Sequence, residues 1–312
     1  MEVIEKDREW KRPFKNPVLT IGNFDGVHLG HQKIFQRVVQ KAKEIEGESV
    51  VYTFDPHPVA ILAPDRQPPL LTPLKEKLRL IGAQGIDFAI VASFTRDYAR
   101  QSPEDFVRGT LYHQIQIRHL YVGHDFAFGR GGKGDIALLK ELGRKYGFNV
   151  EVIDAVRLEG RVVSSSLIRD LLQRGEVKEA GKFLGRNYQI VGKVIHGHGR
   201  GSRKLGFPTA NLRIEEMGVL IPKPGIYAVF PYVGEKRYWG VANLGWNPTF
   251  QDQKFSIEVH ILNFHQEIYG QRVKMEFVER MRDEVTFRGA EDLAEQIKRD
   301  IQQARKILKS VS

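Results

Sequence analysis

Near Arg186 the chain changes its hydrophobic period, and no other feature limits so strongly the folds open to it. Before that point, short apolar runs alternate with stretches of helical spacing. Val18-Leu19-Thr20-Ile21 reads as a buried strand, and beyond it Ile34, Val38, Ala42 and Ile45 fall on one helical face. Val50 to Phe54, Phe88 to Ala92 and Leu120 to Val122 are further apolar runs. Ile136 to Tyr146 has helical spacing and leads into a strand at Val150 to Ile153. Such alternation predicts a mostly parallel sheet covered on both faces, with ligands bound beyond the carboxyl ends of its strands. After Arg186 the period drops to two: Tyr188, Ile190, Gly192 and Val194, then Phe255, Ile257, Val259 and Ile261, then Val273, Met275 and Phe277. Gly- and Pro-rich turns separate these segments, as an antiparallel barrel or sandwich requires. A closing amphipathic helix carries Leu293, Ile297, Ile301, Ala304 and Leu308. The expected domains are therefore 1–186, α/β, and 187–312, an antiparallel β-barrel with a terminal helix.

The length agrees, because 312 residues exceed what one ordinary core accommodates. The formal charge is +10, and it divides evenly: 29 cations against 24 anions up to Arg186, 19 against 14 after it. The cations are interspersed, which suits anionic small substrates as well as polynucleotides. Without cysteine there is no disulfide and no thiolate chemistry. No run approaches the roughly 18 consecutive apolar residues of a membrane span, and the opening MEVIEKDREWKRP lacks the apolar segment of a secretory signal. The expected location is the cytoplasm.

The segment Gly22-Asn23-Phe24-Asp25-Gly26-Val27-His28-Leu29-Gly30-His31 joins the first strand to the first helix. Glycines let a phosphate approach the backbone, and a helix start offers free N–H groups with a positive dipole end. Two histidines three apart can donate hydrogen bonds to phosphoryl oxygens as charge develops in an in-line transfer. The alternatives are two unrelated turn histidines, or a zinc site, for which no third ligand of recognised spacing is near.

Val18 to Gln32 resembles the H-x-G-H signature of nucleotidyltransferases. In its longer form, GNFDGVHLGHQ, it is similar to the FMN adenylyltransferase module of prokaryotic bifunctional riboflavin kinase/FAD synthetases. Three later segments match that family in order: Tyr52-Thr53-Phe54-Asp55-Pro56-His57-Pro58, Gly123-His124-Asp125-Phe126-Ala127-Phe128-Gly129 and Ser164-Ser165-Ser166-Leu167-Ile168-Arg169. The resemblance implies a Rossmann-like nucleotidyltransferase sheet with His28 and His31 catalytic. It also implies that Gly22, Phe24, Asp25, Gly26, Ser165, Ser166 and Arg169 bind ATP, and that His57 and Asp125 bind flavin. Other readings stay open for several of these. Ser164 or Ser165 is a plausible helix N-cap, and His57 between two prolines could rigidify a turn. Asp125 could cap or bridge. Arg169 near a helix start opposes the helix dipole unless a phosphate is bound there.

Gly129-Arg130-Gly131-Gly132-Lys133-Gly134 is a literal G-x-G-x-x-G. A dinucleotide fold wants that loop directly after a strand, whereas here His124 to Phe128 intervene, which disfavours NAD. No G-x-x-x-x-G-K-[ST] phosphate loop occurs.

In the second half, Gly197 to Asn211 joins glycines and cations to a Pro208-Thr209-Ala210-Asn211 end. Mobile glycine loops can fold over phosphates, and Thr and Asn oxygens are hard ligands suited to Mg²⁺. The segment resembles the riboflavin kinase family, which implies Gly201, Thr209 and Asn211 at ATP and Thr209 and Asn211 at the metal. Its loop is one residue longer than in many bacterial members. Glu258 shares a strand face with Ser256 and His260, opposite Ile257 and Val259. In isolation that is a solvated face; the resemblance implies a general base acting on the flavin ribityl hydroxyl. Asn243 to Phe250 (NLGWNPTF) and Arg282-Asp283-Glu284 follow the family order, and Arg282 and Phe287 are implied at the flavin.

The reading as a whole is a transferase of FMN and FAD biosynthesis. Riboflavin is phosphorylated by Mg-ATP in the barrel and FMN is adenylylated by a second ATP in the sheet domain, with neither nucleic acid nor membrane as partner. One rival is a single-activity adenylyltransferase with an accessory barrel, which the Thr209–Asn211 and Glu258 pair argues against. The other is an RNA-binding or tRNA-synthetase-like protein, which predicts a clustered basic face or a K-M-S-K-S-type segment. Neither occurs.

Overall fold

A computed structural model describes residues 1–5, 13–196, 206–246, 255–287 and 289–311. They form two compact units, 1–165 and 166–312.

The first unit is built on a six-stranded, all-parallel sheet. Its strands are β1 (Glu2–Glu5), β2 (Val18–Ile21), β3 (Ser49–Asp55), β4 (Phe88–Ser93), β5 (His119–Gly123) and β6 (Asn149–Ile153). Their order across the sheet is β1-β4-β3-β2-β5-β6. β2 is buried along its whole length because helices cover both faces. Leu19 and Ile21 enter one core, with Leu120, Val122 and Leu139. Val18 enters the other, with Ile34, Phe35 and Val38 of the first helix, Leu29–Glu44. The chain leaves β2 toward β3 on one side, and β5 lies on the other. This reversal of strand order opens a crevice at the carboxyl end of β2, where open α/β sheets bind ligands.

β1 is absent from the sequence reading. It is a four-residue edge strand whose ends are glutamates, too short and too charged to announce itself by periodicity. Helix Ile136–Tyr146 has the bounds that its spacing predicts, with Asp135 capping the Leu138 amide and Gly147 ending it at φ 79°. A two-stranded ribbon, β7 (Arg157–Leu158) and β8 (Arg161–Val162), leads into helix Ser165–Gln173.

The second unit holds β9 (Tyr188–Ile195), β10 (Ala210–Ile214), β11 (Gly225–Val233), β12 (Lys236–Arg237), β13 (Gly240–Trp246), β14 (Phe255–Ile261) and β15 (Arg272–Arg282). Six strands in the order β11-β13-β14-β10-β9-β15 close into an antiparallel barrel, because β15 also pairs with β11; β12 extends β11. Closure leaves those six strands with no unpaired edge. Tyr227, Val229 and Phe277 alternate with outward Ala228, Phe230 and Val278, on which Ala304 and Leu308 of the terminal helix Ala290–Lys309 pack. That helix also buries Asp300, a polar residue on its apolar stripe. Helix Val177–Leu184 packs on β15, and Lys178 pairs with Glu279 at 2.8 Å.

Candidate active sites

The loop after β2 is held in a conformation few sequences adopt. Phe24, Gly26 and Val27 all have positive φ, at 51°, 87° and 43°. For Phe and Val this is strained backbone, kept because both side chains are buried in the core. Asp25 adds a second anchor. Its buried carboxylate accepts the backbone amides of Leu71 (3.0 and 3.1 Å) and Thr72 (3.0 Å), and Gly26 N donates to Thr72 Oγ1 at 2.7 Å. Asp25, expected at ATP, is thus engaged with protein amides and fixes the loop. Gly22 lets the Phe24 ring fold back over the backbone, since a Cβ there would meet that ring at 2.9 Å.

His28 caps the first helix and is only 6% exposed. Its Nδ1 accepts the His31 amide at 3.4 Å, so the neutral ring carries its proton on Nε2, a donor. The His28 and His31 rings stack with centroids 3.6 Å apart, and Phe24 meets His31 edge-on at 5.2 Å. Gly30 makes room for this stack: a Cβ there would lie 3.1 Å from two atoms of the His28 ring. Together these contacts give the H-x-G-H spacing a steric meaning.

Ser165 lies within reach of the same loop and donates its hydroxyl to Asp25 O at 2.8 Å. Ser164 immediately precedes the helix, while Ser166 and Arg169 fall in the second compact unit. His57 caps a short helix by accepting the Val59 amide on Nδ1 at 3.2 Å. Asp125 is exposed, with His124 beside it at 4.0 Å.

One residue that the sequence reading did not single out is Lys77. It lies on the buried stripe of helix Leu74–Gly82 with Leu80 and Ile81 and is 7% exposed. Its ammonium donates to Asn23 O (3.1 Å), Thr53 Oγ1 (3.1 Å) and Phe54 O (3.4 Å). Burial pulls its pKa down to about 8, against the opposing pull of Asp25 and Asp55. The spacing to Leu80 and Ile81, i+3 and i+4, is the signal that could have marked it.

In the barrel, strand parity puts Ile257, Val259 and Ile261 inside the core and leaves Ser256, Glu258 and His260 half-buried on the other face. Glu258 sits directly opposite Asn211 of β10 on one side and Asn243 of β13 on the other. Thr209 Oγ1 donates to Glu258 Oε2 at 3.1 Å, and His260 Nδ1 lies 2.8 Å from Pro208 O. Asn211, Glu258 and Asn243 therefore form one polar row across three strands, with Thr209 joined to it just ahead of β10. Asn243 Oδ1 is buried with no hydrogen-bond partner among the described residues. Glu284 lies against Gly245, filling the place a Cβ there would take.

Arg282, expected at the flavin, forks onto buried Asp300 (2.9 and 2.6 Å) and so ties the end of β15 to the terminal helix. Phe287 is half-buried beyond it. Gly201 and the rest of the basic loop at 197–205 lie outside the described residues, as do 247–250 of NLGWNPTF.

Two family models match the chain in series: FAD synthetase over residues 11–167 and riboflavin kinase over 184–308. A bifunctional riboflavin kinase/FMN adenylyltransferase of Listeria monocytogenes is 40% identical, covering 93% of this chain and 92% of its own length. The chain belongs to the bifunctional riboflavin kinase/FMN adenylyltransferase family. A member from Haemophilus influenzae is 36% identical over 99% of this chain and 100% of its own length. Among solved structures, one described as a macrolide-efflux protein from Streptococcus pneumoniae superposes with a TM-score of 0.87. It is 29% identical and covers 98% of this chain and 99% of its own. Among the described residues no helix is long and apolar enough to cross a membrane. His28 and His31 fall within the first matched segment, and Thr209, Asn211, Asn243 and Glu258 within the second.

Proposed function

We infer that this chain makes FMN from riboflavin in its barrel and FAD from FMN in its α/β domain, taking ATP at both steps. The two family matches in series support this pair of activities, and the row Thr209–Glu258–Asn211–Asn243 carries the assignment of roles in the kinase. The catalytic modules are proposed to divide near residue 186, between the matched segments.

In the kinase, Glu258 takes the proton of the terminal ribityl hydroxyl as its oxygen attacks the γ-phosphorus. The bond to the β-phosphate oxygen breaks and ADP leaves. Thr209 holds the carboxylate in place. The hydroxyl of Thr209 and the amide of Asn211 are neutral hard donors that fit Mg²⁺, an ion that keeps most of its coordination for phosphate and water. Asn243 Oδ1, buried and without a hydrogen-bond partner among the described residues, fits the same oxygen-only chemistry. When bound, the ion neutralises phosphate charge.

In the α/β domain, an FMN phosphate oxygen attacks the α-phosphorus of ATP and pyrophosphate leaves. His28 Nε2–H and the His31 ring beside it are proposed to donate to the phosphoryl oxygens. No covalent enzyme intermediate is needed; positioning and charge stabilisation suffice. Ser165, Ser166 and Arg169 are proposed at the ATP phosphates, with His57, Asp125 and Phe287 at the flavins. The cytoplasm remains the proposed location, and ATP, riboflavin and FMN the proposed ligands.

Isotope tracing tests the pair. With ATP labelled at the γ-phosphate, riboflavin should yield labelled FMN that keeps its label in FAD. With ATP labelled at the α-phosphate, only FAD should be labelled. Label from the α-position appearing in FMN, or no FMN at all, would overturn the assignment.

A further inference from the structure

A lysine ammonium is rarely buried unless its charge and all its donors are used. Lys77 meets that condition with three protein acceptors, and all three lie at the carboxyl ends of adjacent parallel strands. Asn23 O follows β2, while Thr53 Oγ1 and Phe54 O end β3. Thr53 Oγ1 also lies 3.3 Å from Asn23 O, so lysine, hydroxyl and carbonyl form one knot. The same segment holds the loop from a second point, where Leu71 and Thr72 amides grip Asp25. Phe24 lies between those two grips, the strained turn runs on through Gly26 and Val27 to His28 and His31, and the β3 end continues to His57.

We propose that Lys77 is a positioning residue for FMN adenylylation, clamping the ends of β2 and β3 so that the His28–His31 stack and His57 keep a fixed separation. The proposal rests on the adenylyltransferase reading of this domain. A neutral amine has only two N–H donors for these three acceptors, so loss of the proton leaves one of them unserved and loosens the knot. The charged groups facing the amine are Asp25 and Asp55, and the helix's own Glu76 is paired with Arg79 at 2.6 Å. The alkaline limb of adenylylation should therefore lie near the point where this amine titrates, at about 8.

The test uses the full chain and reads both activities. Lys77→Met keeps length and removes charge and donors. Adenylylation kcat should fall by about 10²-fold, the scale of a 1 Å misplacement, and the alkaline limb should vanish from the residual activity. Riboflavin phosphorylation should stay within about twofold of wild type, a margin far below that effect. Thr53→Val, which removes one acceptor from the knot, should lower adenylylation by about 3–10-fold, a fraction of that misplacement, and Thr53→Ser should restore it. If Lys77→Met fails to fold, the Thr53 pair decides alone. Normal adenylylation in folded Lys77→Met, or in Thr53→Val, would overturn the proposal. A wild-type chain unable to convert FMN would instead overturn the reading beneath it.

Discussion

Replacing Gly30 by alanine separates catalysis from stability in the H-x-G-H segment. A Cβ on residue 30 would lie 3.1 Å from both Cε1 and Nδ1 of His28, with Val163 O at a comfortable 3.7 Å. Contact becomes ordinary only at 3.4 Å and beyond, so the imidazole must retreat by a few tenths of an ångström. It cannot retreat alone. Its Nδ1 is bonded to the His31 amide, and the His31 ring lies 3.6 Å above it. Both proposed donors to the phosphoryl oxygens therefore move together. A misplacement of 1 Å can cost about 10²-fold in rate, so a few tenths correspond to about 3–10-fold in kcat/KM for FMN adenylylation. Stability moves the other way or not at all. Alanine is favoured over glycine inside a helix by about 1 kcal/mol, and by less at this second helical position. Following FAD and pyrophosphate with FMN and ATP as substrates, beside riboflavin phosphorylation and thermal unfolding, resolves the two effects. Unchanged adenylylation, or equal loss of both activities, would refute the steric argument.

Three further variants probe other parts of the account. His31→Ala should stop the reaction at FMN, seen as FMN accumulation by chromatography with normal riboflavin turnover. Glu258→Gln preserves shape and removes the base, so kcat for riboflavin phosphorylation should fall by about 10²–10⁴-fold while supplied FMN still becomes FAD. Asp300→Ala removes the carboxylate that pairs with Arg282 at the middle of the terminal helix and leaves the guanidinium, among the described residues, only its bond to Asp283 O. Breaking a buried pair costs about 3–5 kcal/mol, and the low end applies because Arg282 partly reaches solvent. A urea midpoint for the barrel transition equal to wild type would contradict it.

Much of this was readable from residue order because it is local. Strand parity placed Glu258 opposite Ile257 and Val259, and helical spacing delivered Ile136–Tyr146 to the residue. What was not readable depends on contacts between distant segments. Asp25 meets amides 46 and 47 positions away, an anchoring that residue order does not announce. The fork of Arg282 onto Asp300 joins a strand to a helix residue 18 positions on, a pairing no local spacing announces. Asn243 gains meaning only from its register with Glu258, which sequence cannot fix. Lys77 broke the usual rule that a lysine marks the solvent side of a helix, because strand ends converge on it from elsewhere in the chain.

The central claim is that one chain carries two separate sites working in series, and mixing two crippled variants tests it most directly. Glu258→Gln supplied with riboflavin and Mg-ATP should make almost no FMN, and His31→Ala should make FMN but no FAD. Combined in one tube, they should make FAD, because FMN released by the second is adenylylated by the first. FAD from riboflavin by either variant alone at the wild-type rate, or no FAD from a mixture in which each variant keeps its remaining activity, would contradict the account.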